Sequence, residues 1–233
     1  MGIETVAGVL QRRVLKENQA SAEGGLNGQS GSEYLDPHSP EGRLCINLVH
    51  WIKRSSNLSE GNLLNIGMGT DHLDYWMSRM YPKLKLTQAA PLIGAVEQEN
   101  VNSHPEASVV YPDVSSSPSD AFEGVTLIDT LQHLDPESVE TVLREAYRVL
   151  KDQGMIFVSV PNLDAYNRQA LDTPTNIWVP SVPDMQYILG LVGFQNIHVT
   201  TRGFPTTRAF QEMTGRDLHL PLFGSTIHIS GQK

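Results

Sequence analysis

Apolar positions along this chain fall into short runs and helical stripes that alternate. Leu63, Leu64 and Ile66 form a strand-like run that stops at Gly67-Met68-Gly69, and Leu73, Trp76, Met77 and Met80 follow at helical spacing. Leu84 and Leu86 mark a second strand, ending at Thr87-Gln88. Ala107 to Tyr111 gives a third, ending at Asp113, and Val125 to Ile128 a fourth. Pro91 to Glu99 reads as helical. The strongest stripe runs from Pro136 to Leu150, with Val139, Val142, Leu143, Ala146 and Val149-Leu150 on one face; Asp135 is its expected N-cap. Gln153-Gly154 is expected to end that helix, with Gly154 in the C-terminal position. Met155 to Val160 is apolar almost throughout, as in a strand covered on both faces, and Pro161-Asn162 stops it.

Beyond it, a helix over Pro183 to Val192 ends at Gly193. Strands are expected at Asn196–Thr200 and Thr226–Ser230, with a short helix near Ala209–Thr214 in the connection. Upstream, Ser39-Pro40-Glu41 opens a helix through Leu44, Leu48, Trp51 and Ile52. Ile3, Val6, Leu10 and Val14 predict a short amphipathic helix, and the Gly- and Ser-rich stretch Ser21 to Ser32 reads as a linker. The expectation is therefore an N-terminal helix and flexible linker over 1–38, then an α/β domain over 39–233. Strands alternating with helices predict a doubly wound, mostly parallel sheet.

Charge narrows the partners. The 233 residues carry 17 basic and 26 acidic side chains, a formal charge of −9. Such a surface argues against nucleic acid and anionic membrane as partners. No apolar run reaches the roughly 18 residues of a membrane helix. Arg12, Arg13 and Lys16 follow the first apolar positions, the reverse of a secretory signal, so the expected location is cytoplasmic. The single cysteine, Cys45, excludes an intrachain disulfide and a cysteine-cluster metal site; among Leu44, Ile46 and Leu48 it reads as a small buried hydrophobe. The 1–20 helix is a candidate homodimer contact.

The chemistry concentrates at Asn62 to Asp71, NLLNIGMGTD. Strand, glycine turn and helix start let a backbone approach a nucleotide-like ligand closely; the alternative is an ordinary tight turn. Leu64-Asn65-Ile66-Gly67-Met68-Gly69 resembles the first motif of class I S-adenosylmethionine-dependent methyltransferases. Phe122 through Leu134, ending Leu131-Gln132-His133-Leu134, is similar to that family's fourth-strand segment. Leu143-Arg144-Glu145, Arg148 to Lys151, Gly154 and Val158 to Asn162 resemble the helix and strand that follow. Gly193-Phe194 and the strand after it resemble the closing portion. The resemblance covers roughly residues 43–233. It implies a seven-stranded sheet whose last strand is antiparallel and inserted by a hairpin, with S-adenosylmethionine as cofactor.

By that resemblance Asn65, Gly67, Gly69, Asp71, Gln88, Asp113 and Asp129 fall at cofactor-facing positions, and Asp113 would face the adenine amino group. Asn65 and Gln88 stand where the family has acidic residues, Gln88 at the ribose-binding place, and Thr70-Asp71 replace a third glycine. For Asp71 two places stay open: facing the pocket, or serving the helix dipole. His133, just beyond the fourth strand, is a candidate general base for a hydroxyl or amine acceptor; its alternative is a structural histidine before Pro136. With Asp135 it lacks a third metal ligand. Asn162, Tyr166 and Trp178 are candidates to line an acceptor pocket, the aromatics alternatively packing in the core. The leading expectation is a methyltransferase acting on a small-molecule or glycan-precursor acceptor. The second is a non-catalytic methyltransferase-like binding or assembly protein. A nicotinamide-dependent oxidoreductase fits less well, since nothing matches its ribose-binding acid.

Overall fold

A computed structural model describes residues 40–54, 58–67, 71–91, 109–165, 176–202 and 224–233; within its helices the side chains of 40–43, 45–46, 54, 71–73 and 75–76 lie outside that description. The expectations for the 1–20 helix, the 21–32 linker, Pro91 to Glu99 as a helix, Ala209–Thr214, Met68, Gly69, Thr70, Tyr166 and the Cys45 side chain fall wholly or mostly on residues outside it. In chain order the elements are α1 (Pro40–Arg54), β1 (Asn62–Ile66), α2 (Asp71–Met80), β2 (Lys85–Ala89), β3 (Val109–Tyr111), β4 (Phe122–Ile128), α3 (Pro136–Val149), β5 (Leu150–Pro161), α4 (Val182–Val192), β6 (Gln195–Arg202) and β7 (Thr226–Gln232). The chain divides into two compact units, Met1–His50 and Trp51–Lys233. In the first, the described residues are the opening turns of α1, where Leu44, Leu48 and Val49 are buried. The second carries the sheet.

That sheet has seven strands in the order β3-β2-β1-β4-β5-β7-β6. β1 to β5 pair in parallel, and β7 lies antiparallel between β5 and β6. The expected doubly wound sheet with an inserted antiparallel last strand is what forms. Strand order runs outward both ways from β1 and β4, which makes the carboxyl end of that pair the switch point where open α/β sheets bind ligands.

The two faces differ in chemistry because alternate side chains point to opposite sides. On one, Leu64, Ile66, Ala89, Val125, Leu127, Ile156, Val158, Val160, Ile227 and Ile229 pack with Val139, Val142, Leu143, Ala146 and Val149 of α3 and with Val182, Met185 and Leu189 of α4. On the other, the register aligns Asn65 with Gln88 and Thr126, and Thr126 with Phe157. Trp51 packs on Phe157 there with ring centroids 5.6 Å apart. One buried face is thus apolar, and the opposite face holds a polar band beside the switch point.

Two expectations need correction. Gly154 does not end the helix after Asp135: α3 stops at Val149, Leu150 caps it, and Gly154 lies inside β5. The backbone turn falls on Gln153, with φ +66°. β5 starts early because Leu150 finds a ladder partner in Phe122, a long-range pairing that no helical stripe reveals. Gln88 is likewise not the end of its strand, since β2 continues to Ala89, paired with Ile66. The helix ends read from sequence chemistry hold elsewhere. Asp135 accepts from the N–H groups of Glu137 and Ser138, and Gly193 closes α4 at φ +117°. Among the described residues no helix is long and apolar enough to cross a membrane.

Candidate functional site

Gly67 ends β1 at the switch point. Its φ is +132°, a backbone conformation that a side chain makes costly. Its N–H donates to the Ala89 carbonyl at 3.0 Å, tying the turn to the end of β2. A Cβ here would overlap the Thr130 hydroxyl oxygen. That hydroxyl sits 3.1 Å from the Ile66 carbonyl and 3.0 Å from the Ile128 carbonyl, sharing its hydrogen between the ends of β1 and β4. The glycine turn is therefore clasped by both neighbouring strands. Asp71 opens α2 just beyond it.

Behind the turn lie the two neutral residues that stand where the resemblance implies acids. Asn65, 2% exposed, accepts a hydrogen bond from the Thr126 hydroxyl at 3.0 Å across the β1–β4 pair. Gln88, also 2% exposed, donates its amide N–H to the carboxylate of Asp74 on α2, itself 6% exposed. The Gln88 carbonyl oxygen is buried without a hydrogen-bond partner among the described residues. An orphaned buried acceptor costs about 1–3 kcal/mol, so this atom is primed for a donor.

Asp113, two residues past β3, is a buried N-cap. Its Oδ1 accepts from the Ser116 N–H at 2.9 Å and from the Ser115 and Ser116 hydroxyls. The Ser115 hydroxyl bond, opposed by burial and helped by Ser116, holds the carboxyl below its usual range and keeps it charged. The next residue, Val114, donates to the Ala90 carbonyl at 2.8 Å, drawing this loop beside the end of β2. Arg148 of α3 anchors the loop from behind: it reaches the carbonyls of Val114, Ser115 and Ser117 and the Ser119 hydroxyl, and pairs with Glu145.

At the end of β4, Asp129 takes φ +49°, is exposed, and donates its N–H to the Ser159 carbonyl at 3.0 Å. His133 closes the 3-10 turn Leu131–His133 and is exposed. The Gln132 carbonyl between them accepts the N–H groups of Ile177 and Trp178, and Trp178 packs half-buried against the core. Asn162 is fully buried and spends its side chain on the chain itself. Its amide donates to the Gly224 carbonyl at 2.8 Å, and its oxygen accepts from the Asp164 N–H.

Gly67, Asn65, Gln88 and Asp113 thus lie on or just beyond three adjacent strands towards the carboxyl end of the sheet, where backbone bonds tie Gly67 to Ala89 and the loop after Asp113 to Ala90. Asp129 and His133 sit at the neighbouring end of β4. Sequence reasoning missed Asp74, Thr130 and Arg148. Only Asp74 left a signal: it stands three residues before buried Met77, on the inward stripe of α2, where a carboxylate needs a partner.

A family profile described as a methyltransferase domain matches residues 41–199. No curated protein matches the chain. Among solved structures, a SAM dependent methyltransferase from Archaeoglobus fulgidus is similar with a TM-score of 0.64 and 18% identity, over 84% of this chain and 95% of that one. An S-adenosylmethionine dependent methyltransferase from Mesorhizobium loti is similar with a TM-score of 0.57 and 13% identity, over 84% and 99%. Phosphoethanolamine N-methyltransferase 2 from Haemonchus contortus, in complex with S-adenosyl-L-methionine, is similar with a TM-score of 0.55 and 16% identity, over 80% and 52%. At these identities the likeness is one of fold.

Proposed function

The chain belongs to the S-adenosylmethionine-dependent methyltransferase family, and on that premise we propose that it is an active methyltransferase for a small-molecule or glycan-precursor acceptor. The observation that carries this reading is the Gly67 turn: a positive-φ glycine at the switch point, clasped by Thr130 and bonded to the end of β2. The residues present fit the cofactor. Gly67 leaves room for close backbone approach, the buried Gln88 oxygen awaits a hydroxyl donor, and Asp113 offers a charged carboxylate to an amino group. Asn65, Gly69, Asp71 and Asp129 complete the cofactor-facing set in this reading.

When bound, S-adenosylmethionine supplies an electrophilic methyl group. What the chain must add is position more than acid–base chemistry. Gln88 would orient the nucleoside from β2 and Asp113 from the loop after β3. Asn65, held by the Thr126 hydroxyl, would present a neutral amide to the cofactor in place of a charge. His133 takes the proton from a hydroxyl or amine acceptor at its exposed ring. The neutral Asn65 and Gln88 forgo charge-assisted bonds, which lowers affinity by about one to two decades.

The same two neutral residues favour a second reading, a binding protein of the same fold without catalysis. Methyl transfer from labelled cofactor to a panel of amines, phenols and hydroxylated glycan precursors separates the two. The enzyme reading expects transfer to at least one class, with His133→Gln slowing it by about 10²–10⁴-fold and leaving cofactor affinity in place. Cofactor binding with no transfer to any of them supports the second reading instead.

A further inference from the structure

Asp74 and Gln88 form a pair that neither the resemblance nor the family match assigns. Both are more than nine-tenths buried, one on α2 and one on β2, on the face of the sheet that carries Asn65 and Thr126. The two ends of a glutamine amide are alike in shape, so the neighbour decides which end faces it. A carboxylate accepts and does not donate when ionised, so it selects the NH2 end. Gln88 donates to Asp74 accordingly, and its other end is committed as a buried acceptor with no partner among the described residues.

We propose that Asp74 is a positioning residue: by holding the Gln88 amide nitrogen it fixes the Gln88 carbonyl oxygen to accept a ribose hydroxyl of the cofactor, so that the work of one strand-end acid is divided between a helix carboxylate and a strand amide. The proposal rests on the reading of this edge as the cofactor pocket. It carries a specificity. An acceptor-only group backed by a carboxylate favours a free hydroxyl and disfavours a ribose that lacks the hydroxyl or bears a phosphate there. Asp74→Asn keeps the size but not the commitment, because an asparagine amide can itself donate to the Gln88 oxygen.

The test is titration calorimetry of the full chain with S-adenosylhomocysteine and with its 2′-deoxy and 3′-deoxy analogues. The wild type is expected to prefer the intact ribose over at least one analogue by about tenfold or more. In Asp74→Asn, with cooperative unfolding retained, that ratio is expected to fall to near one. The exchange variant Gln88→Glu with Asp74→Asn keeps one carboxylate and one amide in the pair and is expected to restore the preference, which makes it decisive if the single variant does not fold. A ratio unchanged in Asp74→Asn, or not restored by the exchange, overturns the positioning role. So does a wild type that binds S-adenosylhomocysteine without ribose preference, which leaves the cofactor pocket itself standing. Absence of any S-adenosylhomocysteine binding overturns both.

Discussion

At Gly67 the conformational need and the steric need coincide. The φ of +132° and the overlap a Cβ would make with Thr130 act on the same atom. Gly67→Ala is expected to destabilise the fold by about 1–3 kcal/mol in urea unfolding. Thr130→Ala alone should cost about 1 kcal/mol for its shared hydrogen bond. The double variant should cost less than the sum, because the second change removes the overlap caused by the first; strict additivity would contradict the clasp. Titrating groups give a second residue-scale expectation. Glu123 is pushed up by burial but ends below its usual value through Lys151 and the Asn62 N–H. Asp113 and Asp184 are lowered chiefly by serine hydroxyls. Folded values below unfolded ones mean stability is present above the unfolded values, 3.8 for the aspartates and 4.5 for Glu123, and is lost as pH falls through the lower folded values. Unfolding free energy should therefore fall from about pH 4.5 downward; a rise on acidification would contradict these assignments. The glycine turn at Gly67 was legible because it stops an apolar run, whereas Asn65, Gln88 and Asp113 were singled out by the resemblance. Asp74 showed only as a carboxylate on an inward helix stripe and Thr130 not at all, since their partners stand 14 and 64 residues away.

Elements show where local rules suffice and where they fail. α4 is framed by Ser181, whose side chain forms a reciprocal capping box with Asp184, and by Gly193. Ser181→Ala is expected to cost about 1 kcal/mol by chemical denaturation; no loss would mean the box contributes nothing. The loop after β3 has no element of its own beyond the 3-10 turn Val114–Ser116, and Arg148 holds it from α3. Arg148→Ala should speed amide hydrogen exchange over residues 114–119 while the centre of α3 stays protected. Unchanged exchange there would show that Asp113 is positioned without the arginine. Stripes and caps gave α3 and α4 within a residue or two. Strand ends were less legible: β2 and β5 extend as far as a ladder partner exists, and the partners come from β1 and β4, outside any local window.

For the whole molecule, periodicity gave the alternation of strands and helices but not their order in space. The order β3-β2-β1-β4-β5-β7-β6 follows from crossovers that short apolar runs do not encode; the resemblance implied seven strands with an inserted antiparallel last one, and not the order of the rest. That order creates the site, because it brings the ends of β1, β2 and β4 together around Gly67. Asn65 and Gln88 are neutral where the resemblance implies acids, and the buried Gln88–Asp74 pair puts a carboxylate beside them. The central claim is that this edge still takes the cofactor. Thermal unfolding with and without S-adenosylhomocysteine tests it most directly. At about 100 times its dissociation constant the ligand should stabilise the fold by about 2.7 kcal/mol, raising the midpoint by about 5–10 °C for a domain of this size. A cooperatively folded protein whose midpoint does not move at millimolar ligand would contradict the account.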